Sequence, residues 1–161
     1  VAYCKKHITK HVGVINNLNA YLNANKDSFD FILMNDVIEH IKKEDVIETL
    51  SSVLACLKKD GKVLIRTVNL KNRWGMAVRY MDFTHTTGFT EESLRQVLLM
   101  AGFEQVVLQE EIHPVHDMKS FVRVVLKKLF ELMYRLEYIA SFGAFNPKLS
   151  NMLIGVGVKK N

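Results

Sequence analysis

Little in this chain could staple it or break it. Its two cysteines, Cys4 and Cys56, fall in no paired motif. That excludes a disulfide framework and a CxxC zinc or redox site, and points to a reducing compartment. Two prolines and eight glycines in 161 residues exclude a low-complexity or linker-like polypeptide. No uncharged apolar run reaches the ~18–20 residues of a membrane-spanning helix. The start lacks the basic and apolar regions of a signal peptide. It opens on Val1-Ala2-Tyr3-Cys4, which reads as the inside of a helix, so the natural N-terminus is expected to lie upstream. What is present, 48% hydrophobic and 24% charged, is ordinary for one globular domain spanning 1–161.

The net charge of +5 is unevenly placed. Residues 1–111 carry 14 basic and 14 acidic side chains, whereas 112–161 carry 8 and 3. A basic segment on a neutral body suggests an anionic partner for that segment alone.

Local patterns alternate between strand and helix. Residues 12–15 are a short β-branched run ended by Asn16-Asn17. Residues 29–34 (FDFILM) form a nearly continuous apolar run, as in a strand buried on both faces, and stop at Asn35-Asp36. Residues 44–58 carry an apolar stripe (Val46, Leu50, Val53, Leu54, Leu57) between acids at the start and lysines at the end, which predicts a helix broken by Asp60-Gly61. Residues 62–68 (KVLIRTV) read as the next strand. Strand, helix and strand within ~40 residues is the βαβ signature. Residues 70–89 lack a clear period, and a loop of that length is usually functional or mobile. Thr90 is a candidate N-cap for a helix ending before Gly102. Strands are expected at 103–109 and 152–158 (MLIGVGV), with an insertion over 110–150 whose centre, 119–140, is an amphipathic helix.

Ligands of open parallel sheets bind at the carboxyl ends of strands. Asn16-Asn17, Asn35-Asp36 and Thr67–Asn69 are three such ends, expected to share one crevice. Taken singly, each is also an ordinary set of turn residues.

The stretches FDFILMNDVIEHI (29–41) and LKKDGKVLIRTVN (57–69) resemble the second half of a class I S-adenosylmethionine-dependent methyltransferase. RYMDFTHTTGFTEESLRQVLLMAGFEQV (79–106) is similar to a branch of that family associated with glycans and lipid-linked sugars. The resemblance implies a Rossmann-like α/β fold, incomplete on its N-terminal side, with a helical insertion before the last strand. The family's Gly-rich turn and its ribose-binding acid are absent; Gly155 and Gly157 are a weak dinucleotide fingerprint, with no third glycine or following helix. The implied cofactor is S-adenosyl-L-methionine, with Asn16 and Asn17 on its adenine side and Asn35, Asp36 and Val37 along its methionine. An oxygen acceptor on a glycan or other small molecule also needs its proton removed, for which His40, His85 and Asp82 are the candidates. Asn69, Arg79 and Tyr80 are the candidate acceptor-binding residues. His40 reads equally as a loop-ordering histidine.

Other chemistries are weaker. His7 with His11, and His113-Pro-Val-His116-Asp117, do not complete a zinc ligand set, so no metal is expected. The basic segment lacks the interleaved aromatics of a nucleic-acid surface. The 119–140 helix is expected to pack on the domain or on a second copy; the sharper reading lays it on an anionic membrane. The expected location is cytoplasmic, with the inner membrane face as the peripheral alternative. Two further readings stay open: a non-catalytic fragment or pseudo-enzyme acting by association, and a nucleotide-dependent oxidoreductase.

Overall fold

A computed structural model describes residues 2–112, 114–143 and 147–160. His113 of the histidine cluster lies outside them. In chain order the elements are α1 (Ala2–His7), α2 (Leu18–Ala24), β1 (Phe29–Asn35), α3 (Val46–Cys56), β2 (Leu57–Val68), α4 (Gly75–Met81), α5 (Glu91–Met100), β3 (Gln105–Glu110), α6 (Met118–Phe142) and β4 (Met152–Val158). Two short 3-10 turns, Ile38–His40 and Lys43–Asp45, lie between β1 and α3.

The four strands form one sheet in the order β1-β2-β4-β3. The β1–β2 pair is parallel, and β4 runs antiparallel between β2 and β3. The βαβ unit read from the sequence is therefore present, and the two carboxyl ends that share a rim belong to β1 and β2.

Inward residues alternate along each strand: Met34 on β1, Val63, Ile65 and Thr67 on β2, Val106 and Leu108 on β3, Leu153 on β4. They meet Val46, Leu50 and Val53 of α3 and Leu94 and Leu98 of α5 in one core. Thr90 caps α5 through Ser93, and Gly102 ends the region with φ 104°, as the sequence indicates. Gly155 and Gly157 have a packing role. A Cβ on Gly157 would stand 2.7 Å from the Phe103 ring, and one on Gly155 3.0 Å from Leu94. They make room for core side chains.

Four expectations need correction. The 12–15 run forms no strand; Val14 and Ile15 are exposed and no neighbouring strand offers it a ladder. β1 is half exposed rather than buried on both faces, with Phe31 and Leu33 52% and 59% accessible. The register aligns Leu33, Leu64, Val156 and Val107 as a row across all four strands, on the face opposite the core. α3 stops at Cys56, because Leu57 already pairs with Phe29; residues 58–61 then bulge outward through the left-handed Asp60 (φ 60°) before pairing resumes at Phe31 and Lys62. The 70–89 stretch is not all loop, since it contains α4.

α6 covers the predicted 119–140 helix and runs about a residue or two further at each end. Asp117 and Ser120 form its capping box, and Gly143 ends it with φ 64°. Its apolar arc does not pack on the domain: Phe121, Val125, Leu129, Leu132 and Leu136 are exposed. Among the described residues no helix is long and apolar enough to cross a membrane.

Candidate active site

β1 ends at Asn35, and the chain turns through Asp36 in a left-handed conformation (φ 52°). The Asn35 side-chain amide donates to the Asp36 carboxylate at 3.0 Å. Arg66, beside Asn35 in the register, donates to both Asp36 oxygens at 2.8 Å and to Glu111 at 2.9 Å. Burial works against the Arg66 charge, but the bond to Glu111 and the Asp36 charge outweigh it and hold the guanidinium above its ordinary pKa.

The 3-10 turn that follows carries Glu39, a carboxylate only 2% exposed. Its Oε2 accepts from the Thr67 hydroxyl at 2.9 Å, and its backbone oxygen accepts from the N–H groups of Thr86 and Thr87. The Thr86 and Thr87 hydroxyls donate to the oxygen of Ile41. These bonds draw the 82–87 segment over the end of β1 and bring three predicted residues together.

His40 Nδ1 lies 2.9 Å from the Thr84 hydroxyl, which donates to Asp82 at 2.7 Å. With its proton committed to Asp82, the hydroxyl accepts from His40 Nδ1–H. His85 Nδ1 faces the Arg79 carbonyl at 3.1 Å, and a carbonyl can only accept. In their neutral forms both histidines therefore carry the lone pair on Nε2. The two rings lie 4.8 Å apart, tilted by 57°. Hydrogen bonds from Thr84 first, then the positive charge available to His85 and His40, keep the Asp82 carboxyl below the ordinary aspartate range.

Glu39, His40 and His85 also offer one ligand atom each, all within 4.8 Å of one another. Each is engaged with a different neighbour: Glu39 with the Thr67 hydroxyl, His40 with the Thr84 hydroxyl and His85 with the Arg79 carbonyl.

The remaining candidates are placed differently. Arg79 donates to the oxygens of His85 and Thr86, fastening the loop, and its guanidinium lies 5.5 Å from the ring centre of the exposed Tyr80. Asn69 is 0% exposed; its amide donates to Lys148 and Ser150 oxygens and its oxygen accepts from the Lys71 N–H. It ties the end of β2 to the lead-in of β4 and is not presented to a ligand. Asn17 caps α2 by accepting from the Ala20 N–H, and Asn16 stands exposed just before it. Of the three strand ends expected to share one crevice, Asn35 and Asp36 touch each other at the rim, whereas the side chains of Asn17 and Asn69 are engaged elsewhere. A separate cleft of about 410 Å³ opens between Asn72–Trp74 and the Phe130 and Tyr134 side of α6.

Arg66, Glu39 and Thr84 were not singled out from the sequence, and Thr67 entered only as part of the Thr67–Asn69 strand end. The available signals were slight: one arginine in a β-branched strand, and one acid inside the apolar turn V-I-E-H-I.

A model of the methyltransferase domain matches residues 5–109, so the chain belongs to that family. A search of curated proteins returned no match. Among solved structures, a SAM-dependent methyltransferase from Archaeoglobus fulgidus superimposes with a TM-score of 0.64 at 18% identity, covering 98% of this chain and 71% of that one. A SAM-dependent methyltransferase from Thermotoga maritima, described as a possible histamine N-methyltransferase, gives 0.55 at 20% identity over 84% and 58%. Phosphoethanolamine N-methyltransferase 2 of Haemonchus contortus, in complex with S-adenosyl-L-methionine, gives 0.51 at 20% identity over 84% and 34%. The fold is thus the Rossmann-like α/β fold of these enzymes, and the chain spans little more than half, or about a third, of the latter two.

Proposed function

We propose that this chain serves S-adenosylmethionine-dependent methyl transfer to an oxygen of a glycan or other small hydroxylated precursor. The observation that carries the reading is the pair of imidazoles at the β1–β2 rim, each fixed through Nδ1 with Nε2 left open. Membership of the methyltransferase-domain family supports the reaction class.

The donor set suits the cofactor on its methionine side. That part of S-adenosylmethionine carries an ammonium, a carboxylate and a sulfonium, and the rim offers the Asp82 carboxylate and the paired Asp36 carboxylate and Arg66 guanidinium. The left-handed turn at Asp36 leaves Val37 accessible beside them. Asn35, Asp36 and Val37 would hold this end; Asn16 and Asn17 take the adenine side on the family resemblance. The bound cofactor supplies an electrophilic methyl group. The protein's task is then alignment, water exclusion and removal of one proton.

His40 or His85 accepts the acceptor's hydroxyl proton at Nε2. Asp82 holds His40 in the required tautomer through Thr84 and stabilises the imidazolium that forms. Arg79 keeps the loop closed over the turn, and Tyr80 offers an exposed aromatic face to a sugar ring.

Transfer of labelled methyl from S-adenosylmethionine to a panel of hydroxylated sugars tests this. Replacing the histidine that acts as base by alanine is expected to lower turnover ~10²–10⁴-fold with cofactor affinity kept. Undiminished turnover in the doubly substituted H40A/H85A protein would remove both as base, and absence of cofactor binding would favour the non-catalytic alternative.

A further inference from the structure

α6 is mounted with its apolar side outward. Its contacts with the domain come from one stripe. Ser120 is buried, Lys127 and Glu131 line the cleft against Asn72–Trp74, the Tyr134 hydroxyl donates to the Lys71 oxygen at 3.1 Å, and the Tyr138 ring lies under the Lys71 ammonium at 5.5 Å. Residues nine apart on an α-helix stand two and a half turns apart, on opposite sides. Leu129 is therefore opposite Ser120, Leu136 opposite Lys127, and Val125 opposite Tyr134. These outward positions are exposed, 54% for Leu129 and 61% for Leu136, and Phe121, Val122, Leu132 and Met133 share their arc.

The arc contains no charged residue. The helix as a whole carries five cations and two acids. Glu131 belongs to the domain-facing stripe, where it pairs with Lys127 at 3.7 Å. Lys119 and Lys128 fall at the two borders of the arc on a 100° wheel, with Glu137 on the Lys119 side and Arg135 beside Lys128; Lys119, Lys128 and Glu137 are exposed. The apolar surface continues through the exposed Met118 at the start of the helix and Ile112 and Val115 before it.

We propose that the outward face of α6 lies flat on an anionic lipid bilayer. A helix of 25 residues is about 37 Å long. An apolar face of this kind, bordered by lysines, has the form of an interfacial helix. Charge separates this occupant from a second copy of the chain. The helix carries more cations than acids, so a symmetric pairing would bring two like-charged helices together, whereas an anionic surface neutralises the excess. The lysine stems can lie along the acyl boundary while their ammonium groups reach the phosphates. The inference stands apart from the methyl-transfer reading, because none of its residues belongs to the histidine cluster.

Flotation of the whole chain with vesicles tests it. One set is equal parts phosphatidylcholine and phosphatidylglycerol, the other phosphatidylcholine alone. The chain is expected to float with the anionic vesicles and to bind the neutral ones at least tenfold less. Lys128→Gln and Lys119→Gln should each weaken anionic binding about fivefold, and Leu129→Glu with Leu136→Glu should abolish it. These leucines face away from the domain, so the helical circular dichroism of that variant should be unchanged. Were it to unfold, the two lysine variants alone still decide. No flotation, equal flotation with both vesicle types, or full binding by the lysine variants would overturn the proposal. So would a stable dimer in sedimentation equilibrium that the leucine substitutions dissociate, since that would assign the face to a second copy.

Discussion

Thr84 stands 2.9 Å from Nδ1 of His40, across 44 residues of sequence, with its own proton given to Asp82. This one hydroxyl sets which nitrogen of His40 is open. Thr84→Val is expected to lower turnover about tenfold, the kinetic value of one hydrogen bond of ~1.4 kcal/mol, and Thr84→Ser to restore it. Steady-state assays of the three proteins check this.

The same contact fixes a pH dependence. The folded Asp82 carboxyl titrates below its unfolded value, so its contribution to stability is present above ~3.9 and is lost as pH falls through the lower folded value. A carbon-13 carboxyl titration should place the Asp82 midpoint below that of an ordinary aspartate. Thr84→Val should move it upward, because the two Thr84 donors to the carboxylate would be reduced to one backbone N–H.

Lys71 lies almost buried against Glu91, Glu92 and Tyr138. Burial opposes its charge, but hydrogen bonds to Glu92 and Glu91 hold it above the ordinary lysine pKa. Glu92 is lowered: burial would raise it, and the bond to Lys71 prevails. Lys71→Met is expected to cost about 2 kcal/mol, a fall of roughly 4–8 °C in Tm. For the lysine the stabilisation is complete below ~10.4 and fades as pH rises through its raised value. For the glutamate it is present above ~4.3 and fades as pH falls through its lowered value. Thermal melts across pH should therefore show wild type and variant converging at both extremes.

Glu39 is buried with the Thr67 hydroxyl on one carboxylate oxygen. Thr67→Val keeps the shape and removes the donor, at an expected cost of ~1–3 kcal/mol. Because Glu39 also anchors the Thr86–Thr87 backbone, the 84–87 amides should lose hydrogen-exchange protection more than those of α5.

Gly75 begins α4 where a Cβ would lie 2.4 Å from the Asn69 backbone oxygen. Backbone cannot yield as a side chain can, so Gly75→Ala should destabilise the fold by about 2 kcal/mol or more. Gly13→Ala, at a position with nothing within 4 Å, should change stability little. Denaturant unfolding of the pair measures the contrast.

Elements with their own signal were legible before the structure. β4 and the cap of α5 fall where periodicity and residue type put them, because alternation and an N-cap threonine act locally. What failed depended on neighbours. The 12–15 run has the composition of a strand and no partner to pair with. The apolar FDFILM run cannot by itself tell a central strand from one with an open face. The direction faced by α6 is set by Tyr134, Tyr138 and Lys71 rather than by its broad apolar arc. At the rim, His40, Asp82 and His85 were picked by type. Glu39 and Thr84, which hold them, were silent because their role lies in hydrogen bonds between segments distant in sequence.

The most direct measurement is titration of the isotope-labelled chain with S-adenosylmethionine, read from backbone and imidazole chemical shifts. The account predicts saturable shifts at Asn35, Asp36, Val37 and the His40 ring, extending to Asp82–Thr86, with α6 unaffected. Saturable binding whose shifts map away from the β1–β2 rim, or no binding, would contradict it.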